Sequence, residues 1–257
     1  MNVESEFVES DSDFYDLEYY LGLEARYVSG AIESRTRNII AACGDISGAR
    51  MLDLGCGGGF MAQAFSERGA IATGIDYAKA GIRFGNQRYP DLDLRVGSAY
   101  DLTSIFEPKT FDVVTLLDVI EHMGDHDKLL ANIRYVLKDS GRLVISTDED
   151  DGVWERFPWN RIFSASNRFS RDGRAGRQID RIEARRANKR RYHDSHINSI
   201  GMADLKALLH DKGFKVVGER VYPMVGVPAR DLVLRLLPQR WRGNHQCIVA
   251  MKAPADA

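Results

Sequence analysis

The stretch MLDLGCGGGF, residues 51–60, gathers the side chains and turns best suited to chemistry. An apolar run leads into Gly55, Gly57, Gly58 and Gly59, and a helical pattern starts at once. Glycine accepts positive φ and lets a ligand approach the backbone, while the helix start beyond it offers N–H groups to polar or anionic atoms. Dinucleotide enzymes use a similar turn, so the loop alone is ambiguous. Two details separate the cases. Asp53, two residues before Gly55, is placed to face an ammonium group, and Phe60 stands where the third glycine of the dinucleotide fingerprint would be. Asp76, twenty-one residues after Gly55 and closing the next apolar run, is placed to accept hydrogen bonds from a pair of ribose hydroxyls. Together these features predict a site for S-adenosylmethionine.

Two further polar clusters bear on what such a site would do. The segment DVIEHM offers Asp118, Glu121 and His122, and YHDSHIN offers His193, Asp194 and His196. Methyl transfer from a sulfonium is an in-line displacement helped mainly by alignment of the reactants. An oxygen nucleophile also needs its proton removed by a base or a metal, whereas an amine needs only to be neutral. If the chain turns helical after the strand, Asp118, Glu121 and His122 project to one side of it. His122 and His193 are the candidates for proton removal. The competing reading of the second cluster is a solvated loop, or a helix cap made by Asp194 or Ser195.

These residues need elements to hold them. RMLDL, AIATGID, LDLRVG, FDVVTLLDVI and GRLVIST read as strands, separated by helical patterns at MAQAFSERG, YAKAGIRFGNQRY and DHDKLLANIRYVLKDSG. Alternation of this kind implies βαβ units and a parallel sheet covered on both faces. A helix at GMADLKALLHDKG and strands at FKVVGERV and QCIVAMK complete the set, and a helical stretch from Glu24 to Cys43 precedes it. The prediction is a Rossmann-like, doubly wound, mostly parallel seven-stranded sheet whose last strand is antiparallel.

Residues 1–23 form an acidic arm, with seven Asp or Glu and no Lys or Arg in residues 1–18, and residues 24–257 form one domain. Within it, residues 148–195 break the rhythm as a lid-like insertion. Trp154, Phe157, Trp159 and Phe163 open this segment, and Arg156 to Arg191 carries twelve basic groups against three acids, a local charge of +9. Such a lid would attract an anionic acceptor or a lipid head group. Overall the chain has a formal net charge of -2 over 257 residues, which gives no global pull toward nucleic acid. Three widely spaced cysteines exclude a disulfide framework and favour a reduced, cytoplasmic setting. No apolar run is long enough to span a bilayer, so any membrane contact would be peripheral.

MLDLGCGGGF with ERGAIATGID, followed by FDVVTLLDVIEHM, VLKDSG and RLVIST, resembles the class I S-adenosylmethionine-dependent methyltransferases. The likeness is strongest to the ubiquinone/menaquinone-biosynthesis O-methyltransferase type, over about residues 48–147. The resemblance implies methionine-end contacts at Asp53, Gly55, Cys56 and Gly57. It implies ribose and adenine contacts at Asp76 and Tyr77, further adenine contacts at Ser98 and Ala99, and Leu117 or Asp118 beneath the sulfonium. Many relatives carry Asp where Ser98 stands, and a serine hydroxyl can still bond the adenine edge. The ubiquinone-type enzymes have an acid-x-x-Glu-His set linked to divalent metal. Here a structural role for that set ranks ahead of bound metal. The expected activity is methylation of a hydroxyl on a small-molecule or lipid-like acceptor. The alternatives are N- or C-methylation, RNA modification with nucleic acid ranked lower, and a cofactor-binding partner without catalysis. Oligomeric state is open.

Overall fold

The computed structural model describes residues 17–28, 33–148, 200–222 and 245–253. The basic insertion, His193, Asp194 and His196 lie outside the described residues, as does the start of the acidic arm. The elements are α1 (Leu17–Val28), α2 (Glu33–Cys43), β1 (Arg50–Leu54), α3 (Phe60–Ser66), β2 (Ile71–Asp76), α4 (Lys79–Arg88), β3 (Asp93–Val96) and α5 (Leu102–Ile105). They continue through β4 (Phe111–Leu117), a 3₁₀ turn (Ile120–His122), α6 (His126–Val136), β5 (Leu137–Asp148), α7 (Met202–Asp211), β6 (Phe214–Tyr222) and β7 (His245–Lys252).

The strands form one sheet in the order β3-β2-β1-β4-β5-β7-β6. β1 to β5 pair in parallel, and β7 runs antiparallel to both β5 and β6, as the sequence predicts. Strand order reverses between β1 and β4, which opens a crevice at their carboxyl ends.

Both faces of the sheet are covered, and this explains why β1 and β4 read as continuous apolar runs. On one face Leu52, Leu54, Val114, Leu116 and Ile145 pack against Leu129 and Ile133 of α6 and Leu205 of α7. On the other, Met51, Val113, Leu117 and Val144 pack against Ile39 and Cys43 of α2 and Phe65 of α3. Asp53 and Thr115 pair in register on this second face, so their polar groups enter it from neighbouring strands.

Three boundaries differ from the sequence reading. The single helix expected from Glu24 to Cys43 is two helices, and the first begins at Leu17, inside the segment read as arm. α6 stops at Val136 rather than running to Gly141. Leu137 is already laddered to Phe111, and Lys138 pairs with Asp112 at 2.7 Å, so sheet pairing overrides the helical pattern. After β4 the chain does not turn α-helical. Asp118 adopts φ 57, and only then does the 3₁₀ turn begin, with His122 N–H donating to Val119 C=O.

Candidate functional site

The glycine loop lies where the strand order predicts, at the carboxyl end of β1. Gly55 has φ 73, and a β-carbon there would overlap a methyl of Val119, so this position admits only glycine without rearrangement. The Gly55 and Cys56 N–H groups both donate to Ile75 C=O, which locks the loop to β2. Cys56 turns its sulfur into the core, beneath Gly74 and beside Leu94, and burial pushes its thiol up.

Asp76 ends β2 and ties the two turns together. Gly57 N–H donates to its Oδ2 at 2.7 Å, and Ala78 N–H donates to its Oδ1 at 2.8 Å. Its carboxyl pKa is nevertheless raised, because burial outweighs these two bonds. Each oxygen keeps capacity for another donor, so the carboxylate can take two hydroxyls while still holding the loop. Tyr77 is half-buried beside it. Ser98 uses its Oγ to accept from Tyr100 N–H at 3.1 Å, closing a local turn, and Ala99 packs against the core.

Asp53 is buried at 3% exposure and receives the Thr115 hydroxyl at 2.6 Å. Burial pushes its carboxyl up from 3.8 to about 6, against the Thr115 bond and the Arg35 charge, which both favour ionisation. A cation brought to this carboxylate would restore full ionisation.

The end of β4 holds the most concentrated charge. Arg35, 7% exposed, donates from Nη2 to Asp118 Oδ2 at 2.8 Å. On the other oxygen, Ser146 Oγ stands at 3.4 Å and His245 Nε2 at 3.6 Å, the latter within ion-pair range but longer than a hydrogen bond. Burial works to raise the Asp118 pKa, but Arg35 and His245 outweigh it and hold the carboxyl well below the usual range. Ser146 Oγ also lies 2.9 Å from Tyr222 Oη, so β4, β5, β6, β7 and α2 all meet at one polar cluster.

The sequence reading placed Asp118, Glu121 and His122 on one helical face, and the geometry corrects this. The left-handed backbone at Asp118 swings its carboxylate to Arg35, while Glu121 is buried at 2% on the 3₁₀ turn and His122 is half-buried. Among the described residues no three His, Cys, Asp or Glu side chains converge as a metal ion would require. Leu117 points into the α2 side of the core.

Three contributors escaped the sequence reading. Arg35 had a visible signal: it lies four residues before Ile39, on the helical stripe that also carries Ala42 and Cys43. His245 is joined to Asp118 only through the sheet, and nothing local marks it. Tyr20, 1% exposed, roofs the glycine loop, with its ring against Gly57 and Gly58 and its hydroxyl at Gly81. Its neighbour Tyr19 is pushed up to about 12, mostly by burial and then by the Asp118 charge.

No helix among the described residues is long and apolar enough to cross a membrane. Residues 26–219 match the model of the methyltransferase-domain family. The chain is 36% identical over 115 residues to a ubiquinone biosynthesis O-methyltransferase of Alkalilimnicola ehrlichii, covering 42% of this chain and 45% of that protein. It is 35% identical over 106 residues to the enzyme of the same name from Xylella fastidiosa, covering 40% and 43%. The aligned segment thus spans less than half the length of these curated relatives. Among solved structures, a SAM-dependent methyltransferase of Archaeoglobus fulgidus superposes with a TM-score of 0.59 at 17% identity, covering 91% of this chain and 100% of that one. An S-adenosylmethionine-dependent methyltransferase from Mesorhizobium loti gives 0.57 at 14% identity, covering 84% and 96%. With a family match over most of its length and the sheet order and glycine loop described above, the chain belongs to the methyltransferase-domain family, within the class I S-adenosylmethionine-dependent methyltransferases.

Proposed function

We propose that this methyltransferase acts on a hydroxyl oxygen of a small-molecule or lipid-like acceptor. The observation that carries the reading is the division of polar groups across the crevice. Asp53, Gly57 and Asp76 line the β1–β2 side, where a nucleoside and an amino acid moiety would lie. The cluster of half-buried Asp118 with buried Ser146, Tyr222 and His245 lies on the β4–β7 side, left for the acceptor. A hydroxyl acceptor needs such titratable groups, whereas a neutral amine does not. The partial likeness to ubiquinone biosynthesis O-methyltransferases supports the same class.

The residues fit the cofactor. Asp76 suits the ribose hydroxyls, Asp53 the ammonium, and Tyr77, Ser98 and Ala99 the adenine. Arg35 Nε is a buried donor with no hydrogen-bond partner among the described residues, as a second anion beside Asp118 would require, and the methionine carboxylate would supply one. When bound, S-adenosylmethionine supplies an electrophilic methyl whose bonding electrons stay on sulfur. His122 and His193 are the candidates from the sequence for the acceptor's proton. The basic segment within residues 148–195, with its charge of +9, suits an anionic acceptor or an anionic membrane surface that delivers one.

The test is calorimetric titration with S-adenosylmethionine and S-adenosylhomocysteine, then transfer of labelled methyl to a panel of phenols, anionic phenols and amines. Micromolar cofactor binding and labelled phenols are the expected result. Label found only in amines would replace the hydroxyl reading with N-methylation.

Asp53 makes a second prediction. An ammonium binds its ionised form, so below pH 6 a proton competes with the ligand. S-Adenosylhomocysteine affinity should fall about tenfold per pH unit there, and Asp53→Asn should be weaker at neutral pH but flat. The ligand-free protein should respond in the opposite direction. Its folded carboxyl binds the proton more tightly than the unfolded one, so this residue adds stability as pH falls from about 6 toward 3.8. Titrations and melts of both proteins between pH 5 and 7.5 would show it. An Asp53→Asn variant with an unchanged pH slope would remove Asp53 from the ammonium site.

A further inference from the structure

We infer that His245 takes the proton from the acceptor hydroxyl, with Asp118 and Arg35 holding it in place; this rests on the hydroxyl-acceptor reading above. The argument starts with the direction of β7. Because β7 is antiparallel, its first residue, His245, pairs with Asp148 at the carboxyl end of β5 and with Tyr222 at the end of β6. The imidazole therefore arrives at the crevice end of the sheet from the side opposite the glycine loop.

Asp118 directly follows β4, the first strand beyond the reversal of strand order, so any group that reaches its carboxylate reaches the junction of the two half-sites. His245 does so through Nε2, at 3.6 Å from Oδ1, while Oδ2 is held by Arg35 at 2.8 Å. This is the arrangement a base needs: a carboxylate that fixes the ring and stabilises the imidazolium, itself fixed by a third group. A separation somewhat beyond hydrogen-bond length is common for such pairs before reactants bind.

The backbone supports a functional purpose for Asp118. A non-glycine residue at φ 57 holds an unfavourable left-handed backbone, and such strain collects at active sites. His245 is 1% exposed, so the pair works out of bulk water, where its electrostatic coupling is strongest. The titratable or charged groups that face the ring include Asp118 just after β4, Tyr222 on β6 and, behind Asp118, Arg35 on α2.

With Nε2 turned to Asp118, Nδ1 is the nitrogen that takes the proton. The acceptor O–H bond breaks toward Nδ1, the freed oxygen pair forms the bond to the methyl carbon, and the old carbon–sulfur pair stays on sulfur. The imidazolium left behind sits beside the Asp118 carboxylate until it returns its proton to water.

The experiment measures single-turnover methyl transfer by the full chain to catechol and to 4-nitrocatechol, whose nitro group leaves a hydroxyl already ionised at neutral pH. His245→Gln and His245→Ala are compared with wild type, and S-adenosylhomocysteine binding is titrated calorimetrically in each. The expected result is a rate to catechol lowered about 100-fold, with ligand affinity kept within about twofold. The deficit should shrink to less than about tenfold on 4-nitrocatechol, and added imidazole should restore part of the catechol rate to His245→Ala. An equal loss on both acceptors, a loss of ligand binding in both variants, or no loss overturns the assignment. The same signature in His122→Gln or His193→Gln, and not at His245, also overturns it by moving the role. If wild type methylates neither phenol, the hydroxyl-acceptor reading falls and takes this inference with it.

Discussion

Asp76→Ala is expected to weaken S-adenosylhomocysteine binding about 1000-fold, the equivalent of about 4 kcal/mol. Two losses combine. A ribose hydroxyl pair bound to a carboxylate contributes about 1.5–3 kcal/mol for each charge-assisted hydrogen bond. The same carboxylate also orients the loop, through Gly57 N–H on one oxygen and Ala78 N–H on the other. At 7% exposure water has little access, so alanine leaves two donors without an acceptor. Each costs about 1–3 kcal/mol, and the ligand-free protein should melt lower as well. Asp76→Asn separates the effects, because its carbonyl can keep one backbone donor while its amide faces the other. It should recover part of the stability and little of the affinity. Calorimetry and thermal melts on the three proteins decide the matter; alanine binding within tenfold of wild type would take the nucleoside away from Asp76.

Arg35→Ala should produce the largest stability change of any single substitution at the site. Removing the guanidinium leaves Asp118, whose side chain is only 18% exposed, without its main counter-charge. Breaking one side of a buried ion pair typically costs about 3–5 kcal/mol, the lower end applying to a pair that is partly open. For a domain of this size that lowers the melting temperature on the order of 10 °C. The pH dependence has a definite sign. A carboxyl held below its unfolded pKa adds stability at neutral pH and loses it as pH falls through the acid range, so the gap between wild type and Arg35→Ala should narrow in acid. Arg35→Met with Asp118→Asn removes both charges at once, and asparagine tolerates the left-handed backbone at 118. That double variant should regain most of the lost stability while still binding S-adenosylhomocysteine poorly. If it binds like wild type, Arg35 has no part in holding the methionine carboxylate.

The glycine-loop side of the crevice was legible because its signals are local. Asp53, the four glycines and Asp76 lie within 24 residues, and the strand–loop–helix context can be read from periodicity alone. The direction of the last strand was expected with the fold class and is not marked in the local pattern. The polar cluster on the β4–β7 side depends on long-range geometry. His245 lies 127 residues from Asp118 in the chain, and only the placement of β7 beside β5 brings the two together. The αL turn at Asp118 was hidden for another reason: a non-glycine residue with positive φ has no sequence mark, so Asp118, Glu121 and His122 looked like one helical face. Arg35 lay inside the predicted helical stretch without being singled out, although its spacing from Ile39 put it on the buried stripe. A charged residue in an apolar stripe is a signal that a partner exists, without saying which.

The position of β7 also bears on how the protein is made. During synthesis the strands that carry the glycine loop and Asp76 leave the ribosome long before residues 245–252, which come to lie between β5 and β6. Until that segment emerges, β5 has a bare edge, β6 has no neighbour in the sheet, and exposed edges of this kind invite pairing with other chains. The nascent chain is therefore most vulnerable to aggregation just before β7 emerges. The strand that closes this gap also delivers His245, so protection of the fold and completion of the polar cluster at Asp118 arrive in one step.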